Sequence, residues 1–193
     1  MRAGVLLAAG ASRRFGEDDK LLAPLDGQPL VLHAARTLLA APVDRRFAVV
    51  SSAPVRDLLR GAGLEVVEIA SGQGQAASLV AAVSHLRDET HLLVMLGDMP
   101  FLRPEHLRPL LEASPDVPHC ALGASLSPPA IFPRGWFDRL AALTGDQGAG
   151  RLLRELPSTS HHSLPPEALR DIDTRGDLRL AAAPAGSDAP STP

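Results

Sequence analysis

The chain has 193 residues, enough for one α/β domain with its own core, and 45% of them are apolar, as in globular rather than disordered chains. Its formal net charge of -3, from 19 basic and 22 acidic residues, lacks the basic excess of a duplex nucleic-acid binder, and 3% aromatic content offers no stacking platform for single strands. One cysteine, Cys120, excludes an intramolecular disulfide and fits a reducing compartment, and no apolar stretch approaches the roughly 20 residues that cross a bilayer. The first apolar run is short, follows only Arg2, and passes at once into a loop, unlike a signal peptide. The expectation is a complete cytoplasmic chain with neither nucleic acid nor membrane as partner.

Gly4–Ala9 is apolar at nearly every position and predicts a strand buried on both faces. Pro29–Ala41 predicts a helix, with Pro29 at its first position and Leu30, Ala34, Ala35, Leu38 and Leu39 on one face. Phe47–Ser51 is a second strand. Pro54–Arg60 is a short helix ended by Gly61-Ala62-Gly63, and Leu64–Ile69 a third strand. Ser71-Gly72-Gln73-Gly74 makes a turn before a helix over Ala76–Leu86. His91–Leu96 is the most apolar strand and Pro104–Ala113 the next helix. Cys120–Ala124 and Ala130–Phe132 read as strands, Gly135–Leu143 and Ala149–Leu156 as helices. A last short strand includes Ile172, before a closing helix over Arg175–Ala183. The alternation implies parallel βαβ units, right-handed crossovers and an α/β, doubly wound, mostly parallel sheet, which binds ligands at the carboxyl ends of its strands. Residues 1–182 form the expected domain. Residues 183–193 are small residues, Pro, Ser and one Asp, which bury no core and predict a disordered tail.

The first strand is followed by Gly10-Ala11-Ser12-Arg13-Arg14-Phe15-Gly16 and then Lys20. Small side chains let backbone N–H groups approach a phosphate, and Arg14 and Lys20 bring neutralising charge. Taken alone, the same stretch suits an ordinary strand-to-helix turn with solvated cations. It is no P-loop, because Gly16 is followed by Glu17, and no dinucleotide fingerprint, because Gly10 is followed by Ala11-Ser12. With no tyrosine in the chain, the Tyr-xxx-Lys pair of short-chain dehydrogenases is excluded.

Leu93-Val94-Met95-Leu96-Gly97-Asp98-Met99-Pro100 puts an aspartate just past the carboxyl end of a buried strand, beside the first loop. A carboxylate facing bound phosphates makes sense if Mg²⁺ bridges them, since Mg²⁺ takes oxygen ligands from one or two carboxylates, phosphate and water. The alternative is a turn aspartate satisfied by backbone N–H groups. Near the end lies Asp171-Ile172-Asp173-Thr174-Arg175-Gly176-Asp177, where Thr174 suits an N-cap and Asp177 the helix's positive end. Asp171 and Asp173 share a face if the stretch is extended. The seven histidines show no metal spacing, and Cys120 reads as a buried small hydrophobe.

LAAGASRRFG over Leu7–Gly16, Lys20, and the Pro24–Leu30 stretch together resemble the signature of the MobA-like nucleotidyltransferases. Within them, the LAAG and LGDMP forms resemble the molybdenum cofactor cytidylyltransferases of MocA type rather than the guanylyltransferases. The resemblance implies a single Rossmann-like sheet of the nucleotide-diphospho-sugar transferase kind. It implies nucleotide contacts at Leu7, Ala8, Ala9, Gly10, Ser12, Arg14 and Lys20, and at Gln73, Gly74 and Ser78 in the glycine-rich stretch before a Ser-Leu helix. Asp98 and Asp173 become the Mg²⁺ carboxylates, with Asp171 second choice to Asp173. Pro128-Pro129-Ala130-Ile131-Phe132 and the stretch from Thr144 to Arg151 match the substrate side, where Asp146, Gly148 and Arg151 recognise the acceptor's anion or support the loop.

The implied reaction transfers CMP from CTP to the terminal phosphate of molybdopterin and releases pyrophosphate. Arg14, Lys20 and Asp98 are its expected catalytic residues. A client molybdoenzyme or its chaperone is the implied onward partner. Alternatives are GTP as donor, another phosphate acceptor on the same fold, and a non-catalytic cofactor carrier. Glu17-Asp18-Asp19 precedes Lys20 with charge that repels a triphosphate, so these three are expected to face solvent while Lys20 turns inward.

Overall fold

A computed structural model of the chain describes residues 1–10, 15–16, 18–145 and 148–182. In chain order its strands are β1 (Arg2–Ala8), β2 (Pro24–Leu25), β3 (Gln28–Pro29), β4 (Arg45–Val50), β5 (Glu65–Glu68), β6 (His91–Leu96), β7 (His119–Leu122), β8 (Leu126–Pro133) and β9 (His161–Ser163). Its helices are α1 (Leu30–Ala40), α2 (Ala53–Gly61), α3 (Gly74–Ser84), α4 (Pro104–Glu112), α5 (Phe137–Ala141), α6 (Gly150–Leu153) and α7 (Arg175–Ala182). Seven strands form one sheet in the order β5-β4-β1-β6-β8-β7-β9, and β2 and β3 pair as a separate hairpin. Only β8 runs antiparallel to its neighbours in the large sheet.

The near-continuous apolar runs are explained by burial on both faces. Leu6 of β1, Ala48 of β4 and Met95 of β6 meet Leu38 of α1, Leu59 of α2 and Leu107 of α4 on one side. Their neighbours Val5, Phe47 and Val94 point the other way, into Leu79 of α3, Leu140 of α5 and Leu153 of α6. Gly4 sets how closely α1 lies on β1: a Cβ there would stand 2.5 Å from Leu38 Cδ1.

From β1 the chain turns through α1 to β4 on one side. From β5 it crosses back through α3 to β6 on the other. The carboxyl ends of β1 and β6 therefore flank a topological switch point, where such sheets take ligands.

The expected α/β architecture is present, with local differences. Ile172 lies in no strand. Its side chain fills a small core with Phe15, Leu25 and Leu30, so its apolar character serves packing rather than pairing. The final strand is instead β9, whose His161-His162-Ser163 carries no apolar signal. β8 extends back through Pro128 and Pro129, beside a register irregularity between Cys120 and Ala121, the kind of position at which prolines are tolerated. The helix expected over Gly135–Leu143 opens as a 3-10 turn, Arg134–Trp136, before α5. The tail from residue 183 lies outside the described residues.

Candidate active site

A cleft of about 570 Å³ opens at the switch point. One wall is the end of β1, from Leu7 to Gly10. Gly72, Gly74, Gln75 and Ser78 form a second, at the start of α3, and Gly148–Gly150 face them. Lys20, Asp98 and Asp173 gather along the remaining edge.

Each of these three is placed by a separate local device. Gly97 brings Asp98 against β1: its N–H donates to the Leu7 carbonyl at 2.9 Å, and a Cβ there would lie 3.3 Å from Ala8 Cβ, the Leu7 carbonyl and Val31 Cγ2. Asp173 arrives from the far end of the chain, because Ile172 N–H donates to the Asp98 carbonyl at 3.0 Å. Thr174 and Asp177 then close a reciprocal cap on α7. Thr174 Oγ1 accepts from Asp177 N–H at 3.1 Å, and the Asp177 carboxylate accepts from Thr174 N–H at 2.7 Å. The Thr174 hydroxyl, which donates to the Asp177 carboxylate at 2.7 Å, and then the Thr174 N–H hold that carboxyl below the usual carboxylate range. Lys20 opens a 3-10 turn, Lys20–Leu22, capped by Asp19, whose carboxylate accepts from Leu21 N–H at 3.0 Å.

Lys20 turns inward and is only 7% exposed. Its Nζ donates to Asp98 Oδ2 at 2.7 Å and to Asp173 Oδ1 at 2.8 Å. Burial pushes the ammonium pKa down, but the Asp98 charge and the bonds to both carboxylates outweigh it, and the net shift is upward. The ammonium therefore stays charged. Asp98 Oδ1 is buried and has no hydrogen-bond partner among the described residues, a lone pair open to a cation or donor that they do not supply. Among the described residues no three His, Cys, Asp or Glu side chains gather to hold a metal. Two carboxylates suit a divalent cation that brings phosphate and water as its other ligands.

The structure brings together ten of the expected residues along the cleft: Leu7, Ala8, Ala9, Gly10, Lys20, Gly74, Ser78, Asp98, Gly148 and Asp173. Ser12, Arg14 and Asp146 lie outside the described residues. Gln73 takes the N-cap position of α3, off the cleft wall, and Gln75 stands on the wall instead. The helix starts at Gly74, two residues before the expected start, so Gln75 and Ser78 share a face one turn apart. A helix start placed at Gly74 would have found Gln75. Gln75 packs so near Gly148 that a Cβ there would lie 2.5 Å from its Oε1. Arg151 is exposed on α6 and not on the wall. Asp171 lines a smaller adjoining cavity, close enough to Asp173 and Asp98 that burial and their charges push its carboxyl above the usual range.

Asp18 is exposed as expected and pairs with Arg175, whose Nε also donates to the Phe15 carbonyl at 3.3 Å. Asp19 is half-buried in its capping role rather than free in solvent. Glu17 lies outside the described residues. Cys120 is buried on β7, next to the edge strand β9, and burial pushes its thiol up to about 11, far from a nucleophile's range.

Residues 4–162 match the MobA-like NTP transferase domain. Over 102 residues the chain is 38% identical to the Pyrococcus horikoshii protein named "Probable molybdenum cofactor guanylyltransferase", a match covering 53% of this chain and 50% of that protein. The chain thus spans about half the length of that relative. Over 165 residues it is 31% identical to the purine catabolism protein PucB of Bacillus subtilis, covering 78% of this chain and 80% of that one. The crystal structure of Rv0371c from Mycobacterium tuberculosis superposes with a TM-score of 0.81 at 28% identity, covering 94% of this chain and 96% of that chain. A second structure of that protein, in complex with manganese, superposes with a TM-score of 0.75.

Proposed function

Since the chain belongs to the MobA-like NTP transferase family, we propose that it transfers a nucleoside monophosphate from a triphosphate to the terminal phosphate of a molybdopterin-type cofactor. The observation that carries this reading is the meeting of Lys20, Asp98 and Asp173 beside the Gly10 backbone at the switch-point cleft. CTP is the proposed donor, on the LAAG and LGDMP forms of the two loops. GTP is the second reading, favoured by the name of the Pyrococcus horikoshii relative.

A phosphate oxygen of the acceptor forms a bond to the α-phosphorus. The bond from that phosphorus to the oxygen bridging to the β-phosphate breaks, and pyrophosphate leaves with the electron pair. The nucleophile is already an anion and needs no general base. The difficulty is bringing two anions together, so positioning and charge dominate. The Gly10 backbone offers N–H donors to the β- and γ-phosphates, and Lys20 offsets charge that grows on them. Gln75 and Ser78 face the nucleoside from the start of α3. Asp98 and Asp173 would hold a divalent cation, proposed as Mg²⁺, which supplies Lewis-acid neutralisation of phosphate charge when bound. The orphaned Asp98 Oδ1 fits that role, as does the manganese in the Rv0371c complex. A molybdoenzyme or its chaperone is the proposed recipient of the product.

Purified protein incubated with molybdenum-loaded pterin, Mg²⁺ and each of CTP, GTP, ATP and UTP is expected to release pyrophosphate fastest with CTP. Faster release with GTP would replace the donor, and no release with any of the four would overturn the reading. Asp98→Ala is expected to slow release by about 10²–10³-fold, the scale for removing one preorganised group. Unchanged turnover in that variant would remove Asp98 from the site.

A further inference from the structure

Beside the main cleft lies a second cavity of about 290 Å³. Leu96, Met99 and Leu169 give it apolar walls, and Asp171 is the one charged residue among those lining it. Leu169 closes tightly over Gly123, where a Cβ would stand 2.8 Å from Leu169 Cδ1, so any larger residue there would push this wall open. Leu96 and Ser127 line both cavities, which therefore adjoin. Among the described residues no side chain donates a hydrogen bond to Asp171 or pairs with it in a salt bridge. The cavity thus combines apolar walls with a carboxylate that, among the described residues, no side chain bonds and only its own backbone N–H approaches.

We infer that this cavity holds the ring of the acceptor, with the Asp171 carboxylate accepting hydrogen bonds from the amino-pyrimidinone edge of a pterin. The inference rests on the molybdopterin-type reading above. A pterin presents its 2-amino group and N3–H side by side as two parallel donors, the complement of a carboxylate's two oxygens. Its flat bicyclic body suits an apolar slot. Asp171 and Asp173 are two residues apart, at most about 7 Å along the chain. A ring held at Asp171 therefore leaves its phosphate-bearing arm close to Lys20 and Asp173, where the α-phosphorus must lie.

The test needs no turnover. A phosphorylated 6-hydroxymethylpterin and its lumazine counterpart, which carries a 2-oxo group in place of the 2-amino group, are titrated into the full chain without triphosphate. Binding is followed by quenching of ring fluorescence. The pterin is expected to bind at least tenfold more tightly than the lumazine. Asp171→Asn, at an exposed position that leaves the melting temperature in place, is expected to erase that preference. Equal binding of the two rings, absence of binding, or a preference that survives Asp171→Asn would each overturn the inference. The transferase reading fails on a different outcome: an intact pterin preference with no pyrophosphate release from any triphosphate.

Discussion

Lys20 donates to Asp98 and Asp173 at once, so its ammonium stands between the two carboxylates proposed for a divalent cation. Free metal must compete with it, whereas a triphosphate gives the ammonium an anion to move to. Lys20→Met keeps the length of the side chain and removes the charge. Measured by Mn²⁺ titration without nucleotide, this variant is expected to bind metal several-fold more tightly, and to bind the metal–CTP complex more weakly. Unchanged metal affinity would show that Lys20 does not hold the carboxylates against the ion. Asp98 was legible at this scale because it follows the chain's most apolar run, and a buried parallel strand delivers its next residues to the sheet's carboxyl edge. Gln75 was not, because its role turns on a helix beginning two residues early, and element ends are where local patterns say least. The pairing of Lys20 with both carboxylates was also beyond reach: the residues are 78 and 153 positions apart, and nothing local joins them.

Helix α7 buries no residue of its own, yet the cap at its start holds Asp173 beside Lys20. Thr174→Ala removes one half of the reciprocal cap and is expected to cost about 1 kcal/mol in urea unfolding. Pyrophosphate release is expected to fall further than that stability loss explains, because Asp173 loses its anchor. At the opposite end of the sheet Arg45 of β4 grips Glu65 of β5 through two bonds of 2.9 Å. The Arg45 hydrogen bonds, reinforced by His85, hold the Glu65 carboxyl down to about 2. A depressed carboxyl contributes stability above its unfolded value near 4.5, lost as pH falls toward 2. Glu65 itself is exposed, so solvent screens the pair and Glu65→Gln is expected to cost no more than about 1 kcal/mol at pH 7. The gap between variant and parent should close between about pH 4.5 and 2, with urea midpoints as the measure. The strands of this edge were readable from apolar runs; β9 was not, since an edge strand of two histidines and a serine carries no such run.

Two large apolar layers lie on either side of the sheet, and among the described residues no hydrophobic side chain belongs to both. Val5→Ala thins one layer and Val55→Ala the other. Each loses about 1.6 kcal/mol of transfer free energy, plus a cavity cost. With no shared partners, the double variant's loss in urea unfolding is expected to equal the sum within about 0.5 kcal/mol. An excess would mean that the sheet transmits strain from face to face. The alternation of buried strands and amphipathic helices made this architecture readable, because each strand's double burial removes polar residues from the sequence itself. The cavity beside Asp171 was not readable, since it depends on how a turn after β9 folds back over β6 and β8. The backbone bond from Ile172 to Asp98 also orders events during synthesis. A chain emerging from the ribosome can complete β1, α1 and β6, and expose the Gly10 loop and Asp98, long before residue 173 is joined. Until then the Lys20 ammonium lacks the Asp173 carboxylate. The proposed site is thus withheld from the nascent polypeptide and completed only when the segment carrying Asp173 docks against Asp98.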